Sequence, residues 1–226
     1  MPTDPAQPED RRTIAVEIWS DLVCPWCYLG KRRFERALAQ FEHSDAVSVQ
    51  WRSFQLDPTI PPDSAEPTLP RLAAKMGSID AARAAMGRLV ALGAQEGIAY
   101  DFERSISVNT FDGHRLTHLA DELGLGAPMH EALMHAQLVE GATLNDPDTL
   151  VRIGEQVGVP AERARAVLAG DEYADEVRQD IELAAEFGAT GVPFFVLNRA
   201  YGVSGAQPIE TFASALQLAY DNAPAE

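Results

Sequence analysis

Cys24 and Cys27 are the only cysteines in the 226-residue chain, and Pro25 and Trp26 separate them. Side chains three apart on a helical turn lie about 5–6 Å from each other at Cβ and face one side. A disulfide needs Cα atoms about 4.4–6.8 Å apart. The pair can therefore close across one turn and reopen without unfolding anything. Pro25 suits the first helical position, where its missing N–H costs nothing. A helix start at this point stabilises a thiolate on Cys24, so its pKa is expected below the ordinary ~8.5. Cys27, a turn deeper, is expected to be more buried and to stay a thiol until it resolves a mixed disulfide formed at Cys24. Two blander roles compete. Zinc wants four ligands, and no further cysteine exists to complete a site. Two buried cysteines could also simply fill space.

The elements around the pair favour redox chemistry. Thr13–Trp19 is rich in β-branched and apolar residues and reads as a strand. From Pro25 the period turns helical, with Cys27, Leu29, Phe34, Leu38 and Phe41 recurring at about helical spacing. A second strand follows at Val47–Phe54, which makes a βαβ unit with a parallel sheet. The segment Asp57–Pro70 holds five prolines and reads as a loop. Helical periodicity then dominates over Leu69–Met76, Ser78–Glu96, Asn109–Leu123, Met129–Glu140, Pro147–Val157, Pro160–Leu168 and Glu172–Phe187. Strand signals return at Pro193–Leu197 and Tyr201–Ser204, joined through Asn198-Arg199-Ala200, and a helix runs from about Pro208 to Tyr220. The fold class is α/β: a split sheet, βαβ at the front and ββα at the back, with a large all-helical insertion. A strand followed directly by CxxC and a helix is the context in which such a pair is catalytic.

Charge and composition remove other classes. Eighteen Lys+Arg against 34 Asp+Glu give a net charge of −16. That sign repels phosphate backbones and anionic lipid, so neither nucleic acid nor membrane is an expected partner. No apolar run approaches the roughly 20 residues of a membrane span. Residues 1–12 are acidic and Pro-rich and read as a disordered tail rather than a secretory signal, so a cytoplasmic protein is expected. No metal is expected: His130 and His135, five apart, sit about 140° from each other around a helix and do not converge.

Further residues are candidates. Pro193 opens an apolar strand in the run GATGVPFF. A cis Val192–Pro193 bond would turn the polar backbone of Val192 outward beside the cysteines, where an extended substrate could pair with it. The alternative is an ordinary trans proline. Glu17, on the strand leading to the motif, could accept the Cys27 proton or could face solvent. His114 could favour a thiolate from nearby. Asp21, three residues before Cys24, would oppose one. Trp26 is a platform for substrate contact or a packing residue, and it cannot supply the positive charge a histidine would.

SDLVCPWCYLGKRRF, GVPFF and VSGAQP, in that order, resemble the DsbA-like thiol-disulfide oxidoreductases, specifically their FrnE-type branch. The resemblance implies a thioredoxin-like domain over 13–64 and 189–222 and a helical insertion subdomain over 65–188. It implies that Cys24 and Cys27 are the redox pair and that Pro193 is the cis-proline facing them. It implies that NTFDGHRLTHLA at Asn109–Ala120 lines the active-site face. Ser53 stands where relatives often carry proline, a departure expected to be minor. The activity implied is formation, reduction or isomerisation of disulfides in protein or peptide substrates. No bound cofactor is implied, and glutathione or a thioredoxin-type reductant could serve as co-substrate. With Trp26 inside the motif, the potential is expected between those of CPHC enzymes and thioredoxin. Two other functions compete: a glutathione-dependent transferase or isomerase of the kappa-class or hydroxychromene carboxylate isomerase type, and a non-enzymatic redox-sensing or binding module. A complete CxxC argues against the first, because the resolving thiol would release bound glutathione.

Overall fold

A computed structural model describes residues 12–224 of the chain. The tail expected over 1–12 lies, apart from Arg12, outside the described residues. Strand β1 (Ile14–Ser20) runs parallel to β2 (Val47–Ser53) across helix α1 (Pro25–Ala39). Strands β5 (Phe194–Leu197) and β6 (Tyr201–Ser204) add antiparallel on the other side of β1, giving the order β2-β1-β5-β6. Asn198 and Arg199 turn the β5–β6 hairpin with φ of 49° and 52°. Positive φ at both central residues matches the right-handed twist of the flanking strands.

Period-two alternation decides what each face of the sheet carries. Ile14, Val16 and Ile18 point towards α1 and the C-terminal helix α9 (Ile209–Asp221), where they meet Phe34, Phe195 and Phe212. Trp19 points the other way, against helix α8 (Ala174–Glu186), and its indole N–H donates to the Asp180 carbonyl at 2.7 Å. The remaining helices are α2 (Thr68–Met76), α3 (Ile79–Gln95), α4 (Phe111–Glu122), α5 (Gly126–His135), α6 (Pro147–Val157) and α7 (Ala161–Ala169). Their apolar faces form a second, larger core that also contains Cys24, Cys27 and Tyr28. The dithiol thus sits on the seam between sheet and helical insertion.

Two boundaries differ from the periodic reading. The helix expected from Met129 starts at Gly126, and its last five residues, Ala136–Glu140, wind as a π-turn. The insertion is also not all-helical. Strands β3 (Ala65–Pro67) and β4 (Ile106–Val108) pair antiparallel within it. Three residues are too few to show a period of two, and Pro67 argued for a loop.

One close approach fixes α1 against the loop before β5. A Cβ built on Gly30 would lie 2.8 Å from Cγ of the Pro193 ring. Gly30→Ala should therefore strain this contact by about 1–3 kcal/mol. Helix propensity returns about 1 kcal/mol. We expect a net loss of about 1 kcal/mol in urea unfolding; a more stable variant would contradict the tight contact.

Candidate redox site

Cys24 occupies the position immediately before α1, with an extended backbone (φ −88°, ψ 112°) and Pro25 next in line. Its N–H donates to the Asp21 carbonyl at 3.0 Å, and its own carbonyl accepts from Cys27 N–H at 3.0 Å and Tyr28 N–H at 3.3 Å. The chain thereby turns from β1 into α1 in four residues, carrying both sulfurs on the first helical turn. Both cysteines are free thiols and both are buried. The Cys24 thiol donates to the Val192 carbonyl at 3.8 Å, and the Val192–Pro193 bond is cis. Two segments 168 residues apart in sequence meet at that contact.

The environments of the two thiols differ. Burial pushes the Cys27 thiol well above its ordinary pKa, and the neighbouring Cys24 sulfur adds to this. The Asp21 backbone and the Ser20 hydroxyl act in the opposite direction without outweighing burial. Above the pair, Trp26 is 44% exposed, and Leu56, on the loop after β2, is 50% exposed. From the insertion, the Tyr100 hydroxyl donates to the Pro25 carbonyl at 2.6 Å, and its ring packs edge-on against Tyr28. Burial raises the Tyr100 pKa far above a free phenol, and the adjacent Cys24 raises it further. Tyr100 therefore stays a neutral donor that ties the CPWC turn to the helical block. Nothing in its local sequence, GIAYDF, marks it for that position.

A cavity of about 140 Å³ opens beside the motif, lined by Asp21, Val23, Leu56, Ile60, Leu72 and Val108, with Arg71 and Lys75 among its charged residues. A larger hollow of about 740 Å³ runs along the sheet face that bears Glu17, Arg52 and Arg199. Neither cysteine lines it. Among the described residues no helix is long and apolar enough to cross a membrane, and no group of three or more His, Cys, Asp and Glu is arranged to hold a metal ion.

The model of the DSBA-like thioredoxin domain matches residues 15–217. This chain belongs to the DsbA-like thioredoxin-domain family. It is 50% identical to a probable DsbA oxidoreductase from Streptomyces coelicolor, with a TM-score of 0.89 over 92% of this chain and 91% of that one. It is 26% identical over 210 residues to the uncharacterized protein YwbO of Bacillus subtilis, covering 90% of this chain and 96% of that protein. The cytosolic disulfide reductase DsbM of Pseudomonas aeruginosa, solved with GSH, is 19% identical with a TM-score of 0.61 over 90% of this chain and 98% of that one. At that identity the likeness is one of fold.

Within this DsbA-like frame the other candidates separate. Glu17 does not stand beside Cys27, and its proposed part as proton acceptor is corrected. Its carboxylate takes Arg52 Nη2 at 2.6 Å and Arg199 Nε at 2.8 Å. Burial would raise its pKa, but the hydrogen bonds from Arg199 and Arg52 outweigh this and hold it below the usual carboxylate value. Strand alternation turns Glu17 to the face opposite α1, so it cannot reach the first helical turn. His114 is buried on α4, with Nε2 2.9 Å from the Phe54 carbonyl and 3.5 Å from Asp21 Oδ1. Asp21 Oδ2 accepts the Leu56 N–H at 2.7 Å. His114 thus meets the motif through Asp21. Helix α4 can lie this close because Gly113 faces Leu22, whose Cδ1 would be 2.6 Å from an added Cβ. His130 is buried and stacked on Trp51 at 4.0 Å, away from His135, which pairs with Glu140.

Proposed function

We propose that this DsbA-like protein is a cytoplasmic dithiol–disulfide oxidoreductase of the FrnE-type branch, reducing or isomerising disulfides in protein substrates. The observation that carries this reading is the Cys24 thiol on the Val192 carbonyl with the Cys27 thiol one turn beneath it. Cys24 attacks a substrate disulfide as a thiolate, forming the Cys24–substrate bond and releasing one substrate thiolate, which takes up a proton. Cys27 then attacks Cys24, the second substrate thiol leaves, and the enzyme holds a disulfide. Two electrons have passed to the substrate. The deep burial of Cys27 supports this order, because burial makes its thiol hard to ionise before the resolving step. The exposed rings and side chains of Trp26 and Leu56 supply an apolar rim suited to an unfolded chain.

The Val192 backbone is placed to pair with an extended segment on either side of the substrate cysteine. Glutathione or a thioredoxin-type dithiol returns the enzyme to the reduced state, and no bound cofactor enters the cycle. A DsbM structure holding GSH supports glutathione in that part. A glutathione-dependent transferase needs a lone nucleophile that retains the tripeptide, and Cys27 would expel it. The test is insulin reduction followed by turbidity in the presence of a thiol. The native protein should accelerate it and Cys24→Ser should sit at the uncatalysed rate. Equal rates for the two would overturn the reading in favour of a packing or sensing role.

A further inference from the structure

Ser20 ends β1 with its residue fully buried and its hydroxyl without any hydrogen-bond partner in the resting dithiol. A buried hydroxyl left unmet is destabilising and calls for an explanation. Its direction follows from the strand. Ile14, Val16 and Ile18 all point to the α1 side and Trp19 to the other. Period two therefore sends Ser20 to the α1 side as well, towards the first turn of the helix. That turn carries Cys27. The next residue, Asp21, receives the Cys24 N–H on its carbonyl, which closes the chain into the same turn.

We propose that the Ser20 hydroxyl is a donor held in reserve for the Cys27 thiolate, engaged when Cys27 attacks the mixed disulfide. The proposal rests on the redox reading above and makes Ser20 a catalytic residue of the resolving step. The physical need is plain. A fully buried sulfur must carry negative charge at the moment of attack, in surroundings that solvate it poorly. Preorganised donors in such a site stabilise developing charge far better than water-exposed ones do. The Ser20 hydroxyl acts to favour the ionised form of Cys27. The hydroxyl need not be aligned in the resting thiol, since catalytic hydrogen bonds commonly tighten only as charge develops. In the step itself Cys27 loses its proton to solvent and forms the Cys24–Cys27 bond. The Cys24–substrate bond breaks, and the substrate sulfur leaves as thiolate and takes up a proton. The enzyme is oxidised and the substrate disulfide reduced by two electrons.

Stopped-flow reaction with an aryl disulfide that releases a coloured thiolate resolves the two events. The first release reports attack by Cys24 and the second reports resolution by Cys27. Ser20→Ala should slow the second phase about tenfold and move its pH midpoint up by about one unit, leaving the first phase unchanged. Ser20→Thr, which keeps the hydroxyl, should restore the second phase. An unchanged second phase in Ser20→Ala would overturn the proposal. Equal slowing of both phases, or failure of Ser20→Thr to rescue while folded by circular dichroism, would also overturn it by assigning Ser20 a structural part. Absence of a second release from the native protein would instead refute the redox reading itself.

Discussion

Cys27→Ser is expected to lose all multiple turnover on disulfide substrates while still reacting once. Cys24 keeps its place before α1 and its contact with Val192, so attack on a substrate disulfide proceeds. Without a second sulfur on the same turn, the Cys24–substrate bond has no internal nucleophile to break it. Substrate should accumulate as a covalent adduct, seen as a mass increment that a reducing agent removes. In single-turnover mixing without added thiol, the reduced variant should capture insulin as this adduct and free only one of the two sulfurs of the attacked disulfide. A variant that freed both thiols of a substrate disulfide without added thiol, as the reduced native protein does once, would defeat the two-sulfur mechanism. Serine retains the shape of the turn, so loss of folding is not the expected cause.

The second large effect concerns stability. Asp180 is buried beneath the sheet, and its carboxylate accepts Arg52 Nη1 at 3.0 Å, Ser53 N–H at 2.9 Å and His118 Nε2 at 3.1 Å. Asp180→Ala leaves Arg52 with a buried charge partly uncompensated and the Ser53 N–H without an acceptor. Breaking such a network from one side costs about 3–5 kcal/mol. Burial raises the Asp180 pKa, but hydrogen bonds from His118 and Ser53, with the Arg52 charge, bring it below the ordinary value. A depressed folded pKa means that the unfolded chain binds the proton more readily. The contribution is therefore complete above the unfolded pKa of ~3.9 and fades as pH falls through the folded value. Glu17, likewise depressed, adds to the same acid loss. Denaturant melts from pH 6 downward should show the native protein losing stability more steeply than Asp180→Ala. Parallel curves would contradict the linkage.

The same network revises the expectation about Ser53. Its N–H donates to Asp180 and its hydroxyl meets His118 Nε2 at 3.1 Å. A proline there would delete the donor, so the residue is wired into the underside of the sheet. The departure is not a minor one. Nothing in WRSFQLDP announced this, because Asp180 lies 127 residues away.

Local chemistry explains what was legible. Pro25 marks the helix start and α1 begins on it, since only the first turn tolerates the missing N–H. The β-branched run before Ser20 and the run PFFVL both became strands, because their side chains pack best on a pleated, buried surface. The three-residue strands β3 and β4 escaped notice because they owe their pairing to each other rather than to any internal period. Glu17 was ambiguous because alternation gives two faces without saying which is inward. Its partners Arg52 and Arg199 decide the matter, and they are 35 and 182 residues distant.

By itself, the amino-acid sequence determined the cysteine pair at a helix start, the strands and helices long enough to show a period, and a net charge of −16. All of these rest on composition or on interactions within a few residues. Tertiary structure alone decided that Tyr100 holds the Pro25 carbonyl, that His114 reaches the motif through Asp21, and that Arg52 and Arg199 hold Glu17 on the face away from α1. Those contacts join separate elements, and their geometry is set by how two cores close over one seam, which no local pattern encodes.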